Sequence, residues 1–309
     1  MSTIETIASV HLGKAGDGSV VKPYVTPEKI DPSLLVAVPR IYNRIQYHID
    51  EANLPFVGYD VWNCYEFSTL LTSGYPLSGL LKICYPANSH SIVESKSLKL
   101  YLNSFNMVRV AKHPQTAKDL IEKTISHDLS WVLGCEVKVT LHRQTDYIFT
   151  SSPLPLRYSF IDGLIETEDL TFESYNEDPS LLEVVSSDNS RHTKLRTSSL
   201  RSNCRVTNQP DWGDVYVSVK GQKVITPESF LKYVISMRQE NHFHEEICEC
   251  IYKRLWDLLS PDELFVTCLY TRRGGIDINP VRASNVDIIM KEALPLIQTE
   301  VICEKTMRQ

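Results

Sequence analysis

The sequence predicts an α+β protein built from two similar halves. Segments in which apolar and polar residues alternate, as expected for strands, recur along the chain. Longer stretches with the apolar spacing of helices lie between them, two in each half. The order of strands, two helices and strands then occurs twice.

In the first half, the predicted elements begin after about thirty residues of mixed, weakly periodic sequence. Residues 34–45 are predicted to form a short strand or a short helix. The elements predicted next are strands at 59–67 and 80–85, helices at 96–107 and 115–133, and a strand at 135–142. Gly134 is the predicted C-cap of the second helix, since glycine readily takes the left-handed conformation that ends many helices. The acidic and polar segment 162–196 is interpreted as the connection between the halves.

In the second half, a strand at 214–220 is predicted to reach a turn at Gly221. The elements predicted after it are helices at 227–240 and 245–259 and a strand at 263–270. At an offset of 132 residues, similar side chains of the two halves coincide, for example Tyr101 with Tyr233. We therefore expect an internal duplication, with domains at 1–160 and 161–309.

Polar residues do not coincide at this offset. Glu94 falls opposite Thr226, and Cys204 falls opposite Thr72. If the halves are related, each has kept functional groups that the other lost. A complete site would then need both halves and would lie across an interface.

Composition narrows the function classes. The net charge of −6 disfavours non-specific nucleic-acid binding, which needs a basic face. No stretch approaches 18 uninterrupted apolar residues, and the N-terminus lacks the pattern of a secretory signal, so we expect a cytoplasmic protein without a membrane span. Eight scattered cysteines then imply reduced thiols. Cys248 and Cys250 lie two apart in a helical pattern and point in different directions, so no metal site is expected.

Cys204 differs from the other cysteines because it lies in a polar stretch between Arg201 and Arg205. A nearby cation or hydrogen-bond donor lowers the pKa of a thiol, and the thiolate is the nucleophile. Asp211 lies seven residues later, within reach if the intervening loop folds back. The alternative is an exposed, unreactive thiol and an aspartate in a turn.

Three further segments carry groups suited to chemistry. His244 and Glu245 lie near the break between two helices, where a histidine can transfer protons and a glutamate can cap the helix or bind a donor-rich ligand. The alternative is a capping glutamate beside a partly buried histidine. His242 is predicted to be a surface neighbour.

The segment from Val93 to Tyr101 opens the first predicted helix. Ser95 or Ser97 is the predicted cap, and Lys96 and Lys99 share one face, so free N–H groups and two lysines could bind an anion. The alternative is a solvated charged face.

Arg272, Arg273, Gly274 and Gly275 follow a predicted strand. Arginines bind phosphate through forked hydrogen bonds, and glycines let the backbone approach a ligand closely. The alternative is a hairpin turn with exposed arginines. The sequence contains neither a Rossmann nor a P-loop glycine motif.

Taken together, four motifs resemble the nitrile reductases of queuosine biosynthesis, the NADPH-dependent 7-cyano-7-deazaguanine reductases. The motifs are Glu94-Ser-Lys-Ser-Leu-Lys-Leu-Tyr101, Ser202-Asn-Cys-Arg-Val-Thr-Asn-Gln-Pro-Asp-Trp-Gly213, Phe243-His-Glu245 and Tyr270-Thr-Arg-Arg-Gly-Gly-Ile-Asp-Ile-Asn-Pro280. The resemblance runs from about Gly58 to Asp287 and follows the long, two-domain branch of the family.

The resemblance implies tandem tunnelling-fold domains, each an antiparallel sheet with two helices packed on one face, in a homodimer that pairs through its sheets. It implies reduction of a nitrile to an amine with two NADPH, on a free base rather than on nucleic acid. The catalytic residues would be Cys204, Asp211 and His244. The substrate would be bound by Val93, Glu94, Ser95, His244 and Glu245, and NADPH by Ser95, Lys96, Arg273 and Gly274. Lys99 and Arg272 would assist with NADPH.

Two other functions stay open from the sequence. One is a pterin or purine cyclohydrolase-like enzyme of the same fold, which would need zinc ligands. The other is a purine-binding module that kept the pocket but lost turnover.

Overall fold

The computed structural model describes residues 27–146, 149–155 and 157–309. The weakly periodic residues 1–26 lie outside these ranges. The strands are β1 (Ala37–Pro39), β2 (Val57–Leu70), β3 (Pro76–Pro86), β4 (Ser91–Val93), β5 (Lys138–His142), β6 (Phe149–Ser151), β7 (Ser159–Phe160), β8 (Val184–Asn203), β9 (Pro210–Ile225), β10 (Glu263–Tyr270), β11 (Ile276–Ala283) and β12 (Val301–Cys303). The α-helices are α1 (Ile41–Arg44), α2 (Ser95–Asn103), α3 (Pro114–Leu133), α4 (Pro227–Ser236), α5 (His244–Leu259) and α6 (Val286–Ile297).

A large mixed sheet runs through both halves in the order β5-β3-β2-β11-β10-β9-β8-β7. Its pairs are antiparallel, apart from the short parallel pair of β7 and β8. The two halves meet where β2 pairs with β11, from Cys64 opposite Ile276 to Val57 opposite Ala283. The predicted α+β class is confirmed, and one continuous sheet joins the halves within a single chain.

The two faces of this sheet are covered differently. Trp62 and Ile278, which pair in register, contribute to the core beneath α2 and α3, and the same face continues under α4 and α5. Val61 and Val281 point the other way and pack under α6. Because side chains alternate between the faces of a strand, each central strand contributes to both cores. No helix within the described ranges is both long and apolar enough to cross a membrane.

The helix ends follow local capping chemistry. The carboxylate of Glu94 accepts hydrogen bonds from the backbone N–H groups of Lys96 and Ser97, so Glu94 caps α2, and neither predicted serine does. Helix α3 ends at Gly134 with φ +65°, as predicted.

Two sequence interpretations of the second half are wrong. Residues 162–196 are not simply a connection, since β8 starts at Val184 and extends as a long hairpin with β9. Nor does the chain turn at Gly221, because β9 continues to Ile225. A Cβ atom at Gly221 would lie 3.3 Å from the Cα of Pro261, so this glycine permits close approach of a neighbouring loop.

The structure contains elements that the sequence did not predict or left open. Strand β11 and helix α6 were not predicted. Helix α6 covers the face of the sheet opposite to helices α2 to α5. Residues 34–45, for which a strand or a helix was predicted, contain both β1 and α1.

The contact of Gly58 with β11 offers a test of the junction. A Cβ atom at Gly58 would lie 2.1 Å from the backbone oxygen of Val281, which cannot move without disturbing the pairing of the halves. We expect Gly58→Ala to lower the free energy of unfolding by about 1–3 kcal/mol in urea denaturation. Gly163→Ala is the matched control, since its Cβ would lie 3.5 Å from a ring carbon of Phe160, an ordinary van der Waals distance. Equal stability of the two variants would contradict the expectation.

Candidate active site

A small cavity lies where the two halves of the sheet meet, beside the start of α5. Val93 and Ser95 reach it from the first half, and most of the predicted reactive residues reach it from the second. Its lining residues are Trp62, Val93, Ser95, Cys204, Asp211, His242, Phe243, His244, Glu245, Arg273 and Ile278. Two chain segments more than a hundred residues apart thus contribute to one site.

Cys204 begins the tight turn between β8 and β9. Its N–H donates to the backbone oxygen of Gln209 at 2.8 Å, and Asn208 closes the turn with φ +55°. The residue is 6% exposed, so the alternative of an exposed thiol is wrong. Burial alone would raise the pKa of the Cys204 thiol, but donors from Thr207 and Arg273 outweigh burial and lower the pKa. This buried sulfur therefore favours the thiolate more than an ordinary cysteine does.

Asp211 is held between a histidine and an arginine. One carboxylate oxygen lies 3.3 Å from His244 Nε2, and the other lies 3.0 Å from a guanidinium nitrogen of Arg273. The His244 ring stacks on Tyr270 with centroids 3.8 Å apart and an angle of 9° between planes, which fixes its orientation. A carboxyl group and an imidazole beside a thiol can take up protons and pass them to a bound group.

Glu245 lines the cavity and carries a buried carboxylate oxygen without a partner among the residues that the structure describes. The residue is 2% exposed, and its Oε1 has no hydrogen-bond partner within the described part of the chain. Burial, followed by the negative charge of Asp60, raises the pKa of Glu245 to about 8. A buried polar atom without a partner costs free energy, so this oxygen is suited to bind a ligand.

Glu94 lies between two cavity-lining residues, but its carboxylate faces the first turn of α2. The N–H groups that the sequence suggested for an anion are those of Lys96 and Ser97, at 3.0 Å and 2.7 Å from the Glu94 oxygens. The structure therefore brings Val93 and Ser95 to the cavity, whereas the carboxylate of Glu94 caps helix α2.

Basic residues from both halves surround the turn after β10. Lys99 of α2 donates to the backbone oxygen of Gly274 at 2.7 Å and pairs with Glu66 at 3.1 Å. Lys96 is exposed near the cavity-lining Ser95. Arg272 instead lies over the ring of Tyr65, with its guanidinium carbon 4.2 Å from the centroid.

His242 and Trp62 differ from what the sequence predicted. His242 is 3% exposed and lines the cavity, so its prediction as a surface neighbour is wrong. Two acids at spacings of two and four residues, Glu240 and Glu246, were the available signal, since a buried histidine needs such partners. The indole nitrogen of Trp62 is buried and lacks a hydrogen-bond partner among the described residues. The alternation of residues in its strand predicts which face of the sheet Trp62 occupies, but not which residues surround it.

The fold and this site define a class, an α+β enzyme with a buried thiol beside an acid and a histidine. A family model described as "Nitrile reductase, 7-cyano-7-deazaguanine-reductase N-term" matches residues 26–141, and one described as "QueF-like protein" matches residues 210–287. The chain belongs to the family of NADPH-dependent 7-cyano-7-deazaguanine reductases, as its motifs predicted.

Two relatives carry that family name. The protein from Colwellia psychrerythraea is 42% identical over 261 residues, covering 82% of this chain and 87% of the relative. The one from Cupriavidus metallidurans is 38% identical over 265 residues, covering 85% and 91%. Among solved structures, an archaeosine synthase QueF-Like in the apo form matches 32% of this chain and 98% of its own, at 24% identity and a TM-score of 0.28.

The pKa of Cys204 leads to a labelling test. Because this pKa is lowered, the rate of alkylation by iodoacetamide should reach half its maximum at a lower pH than it does for an ordinary cysteine in an unfolded peptide. Mass spectrometry should find Cys204 labelled before Cys135, which is less buried but has a pKa raised by burial. Cys204→Ser should remove the fast reaction. Faster labelling of Cys135 at neutral pH would contradict the assignment.

Proposed function

We propose that this chain reduces 7-cyano-7-deazaguanine to 7-aminomethyl-7-deazaguanine with two NADPH, a step of queuosine biosynthesis. The observation that carries the proposal is the cavity shared by Cys204, Asp211, His244 and Glu245, with Val93 and Ser95 opposite. Its composition suits a planar base that carries both N–H groups and an electrophilic nitrile.

Substrate binding would rest on polar groups from both halves. The unpartnered Oε1 of Glu245 is suited to accept a hydrogen bond from an N–H of the base. The carboxylate of Glu94 caps α2 but keeps further lone pairs, so it can accept from the base as well. The backbone of Val93 and Ser95 would line the same edge. A wrong base would leave these buried groups unpaired, which gives strong discrimination.

The covalent step would use the sulfur of Cys204. The thiolate adds to the nitrile carbon while Asp211 delivers a proton to the nitrile nitrogen, which gives a thioimide. His244, at 3.3 Å from Asp211, is suited to resupply that proton and to protonate nitrogen in the later steps. The sulfur leaves again once the thioimide has been reduced to a thiohemiaminal. The lowered pKa of Cys204 favours both its attack and its departure as a thiolate.

The cofactor residues fit the chemistry of a phosphorylated dinucleotide. The donor set is cationic, with Arg273 37% exposed at its side chain and Lys96 exposed, and Ser95 lines the cavity beside Lys96 in the chain. Gly274, with φ +60°, has no side chain that would keep a ligand from its backbone, and Lys99 Nζ lies 3.2 Å from where its Cβ would be. NADPH bound there would supply the electrons as hydride, two equivalents for each nitrile reduced to an amine. Lys99 and Arg272 would assist.

The same resemblance guides the proposed assembly. We propose tandem tunnelling-fold domains at 1–160 and 161–309, a homodimer in the cytoplasm, and a free base rather than tRNA as substrate. The division into two helix-covered cores, one under α2 and α3 and one under α4 and α5, supports the tandem arrangement.

Trapping the covalent intermediate tests the reaction. Protein incubated with 7-cyano-7-deazaguanine, without NADPH, should gain the mass of one ligand on Cys204, because the thioimide cannot be reduced. Intact-mass spectrometry and peptide mapping measure this. Cys204→Ala should lose the adduct, and Cys135→Ala should keep it. An adduct on any other cysteine would refute the assignment, and NADPH oxidation that does not require the nitrile would refute the function.

The cofactor assignment has its own test. Lys96→Ala combined with Arg273→Ala should raise the KM for NADPH by about tenfold or more, since each removes a charge-assisted contact with phosphate. The KM for the nitrile should change much less. Lys123→Ala, on the outer helix α3, controls for the loss of a lysine. Steady-state kinetics decide the matter, and equal rises in both Michaelis constants would count against the assignment.

A further inference from the structure

His242 is a buried histidine with side-chain neighbours from several segments. Its Nδ1 lies 3.1 Å from Glu246 Oε2 and 3.1 Å from a guanidinium nitrogen of Arg205. Its Nε2 lies 2.8 Å from the hydroxyl of Tyr47 and 3.4 Å from Glu240 Oε2. These contacts join the region around α1, the turn that carries Cys204 and the start of α5. The proposed chemistry gives this residue no role.

The backbone makes the same junction. The N–H of Asn203, the residue before Cys204, donates to the oxygen of Glu240 at 2.7 Å, and the N–H of His242 donates back to the oxygen of Asn203 at 3.0 Å. On the other side, Glu246 accepts from the N–H of Phe243 at 2.9 Å and so closes the first turn of α5. His242 therefore lies where the turn that carries Cys204 meets helix α5, which begins with His244 and Glu245.

Charge holds this junction together. Burial alone would lower the pKa of His242, but hydrogen bonds to Glu240 and Glu246 outweigh burial and raise the pKa. The charged and titratable groups that face the ring are Glu240, Glu246, Arg205 and Tyr47. The guanidinium carbon of Arg254 lies over the ring of Tyr47, 5.3 Å from its centroid. The ring lies between two acids, Glu240 and Glu246, and Arg205 shares Glu246 at 3.3 Å.

We propose that His242 is a positioning residue that ties the Cys204 turn to the start of α5, so that the sulfur stays aligned with His244 and Glu245. Loss of its contacts would leave Arg205 held by Glu246 and by the backbone oxygen of Asn241, and would loosen the turn whose donors stabilise the thiolate. Its effect on turnover rests on the proposed function, whereas its effect on the thiol itself does not.

The experiment compares two buried histidines. His242→Phe keeps the ring but removes both nitrogens, and His142→Phe is the control, since His142 is 7% exposed and binds the backbone oxygen of Thr299 outside the cavity. Circular dichroism first establishes a temperature at which every variant is folded. The pH midpoint of Cys204 alkylation and the nitrile KM and kcat are then measured.

We expect His242→Phe to move the alkylation midpoint upwards, towards that of an ordinary thiol, and to lower kcat by about tenfold or more with little change in KM. His142→Phe should match the unmodified protein. His242→Gln should lie between them, because its amide can keep one of the hydrogen bonds. A midpoint in His242→Phe equal to that of His142→Phe would overturn the proposal. If the unmodified protein did not reduce the nitrile, the proposed function would fail, and the alkylation midpoint would still decide the role of His242.

Discussion

A buried network of two acids and three arginines joins the halves beneath the cavity. Arg282 of β11 binds Asp60 of β2 at 2.9 Å and Glu249 of α5 at 2.8 Å. Arg44 of α1 binds Glu249 at 2.9 Å, and Arg40 pairs with Asp60. Removal of one partner from such a buried set strands the others and costs several kcal/mol. The network therefore fixes the register of β2 against β11 and the depth of α5, and the cavity depends on both.

The same network gives different pKa values to Glu245 and Glu249, which lie one helical turn apart. Burial alone would raise the pKa of Glu249, but Arg282 and Arg44 outweigh burial and lower it to about 2. Glu245 is equally buried, and burial together with the negative charge of Asp60 raises its pKa to about 8. Glu245 therefore keeps its proton to a higher pH than an ordinary glutamate does.

The sequence predicted well what local interactions determine. The helix ends near Gly134 and at the start of α5 follow from residues within one turn, and the polar setting of Cys204 follows from its neighbours along the chain. Distant contacts decided what was missed. The first part of β8 is polar because the hairpin is solvated there, and Gly221 is a strand residue because Pro261 packs against it. His242 is buried against Tyr47, which lies 195 residues away in the chain and hydrogen-bonds its ring.

The expectation that the site needs both halves acquires a physical basis in one strand pair. Glycine at Gly58 lets β11 approach β2, and this brings Ile278 beside Trp62 at the floor of the cavity. Lys99 of α2 then reaches the oxygen of Gly274, the residue after Arg273, which in turn holds Asp211. One side of the cavity is thus positioned by helix α2 and the other by the Cys204 turn. A shift of β2 by two residues would keep each half folded with its apolar faces buried, yet it would separate Val93 and Ser95 from the sulfur. The alignment of the halves, more than the content of either one, therefore determines whether a reactive site exists.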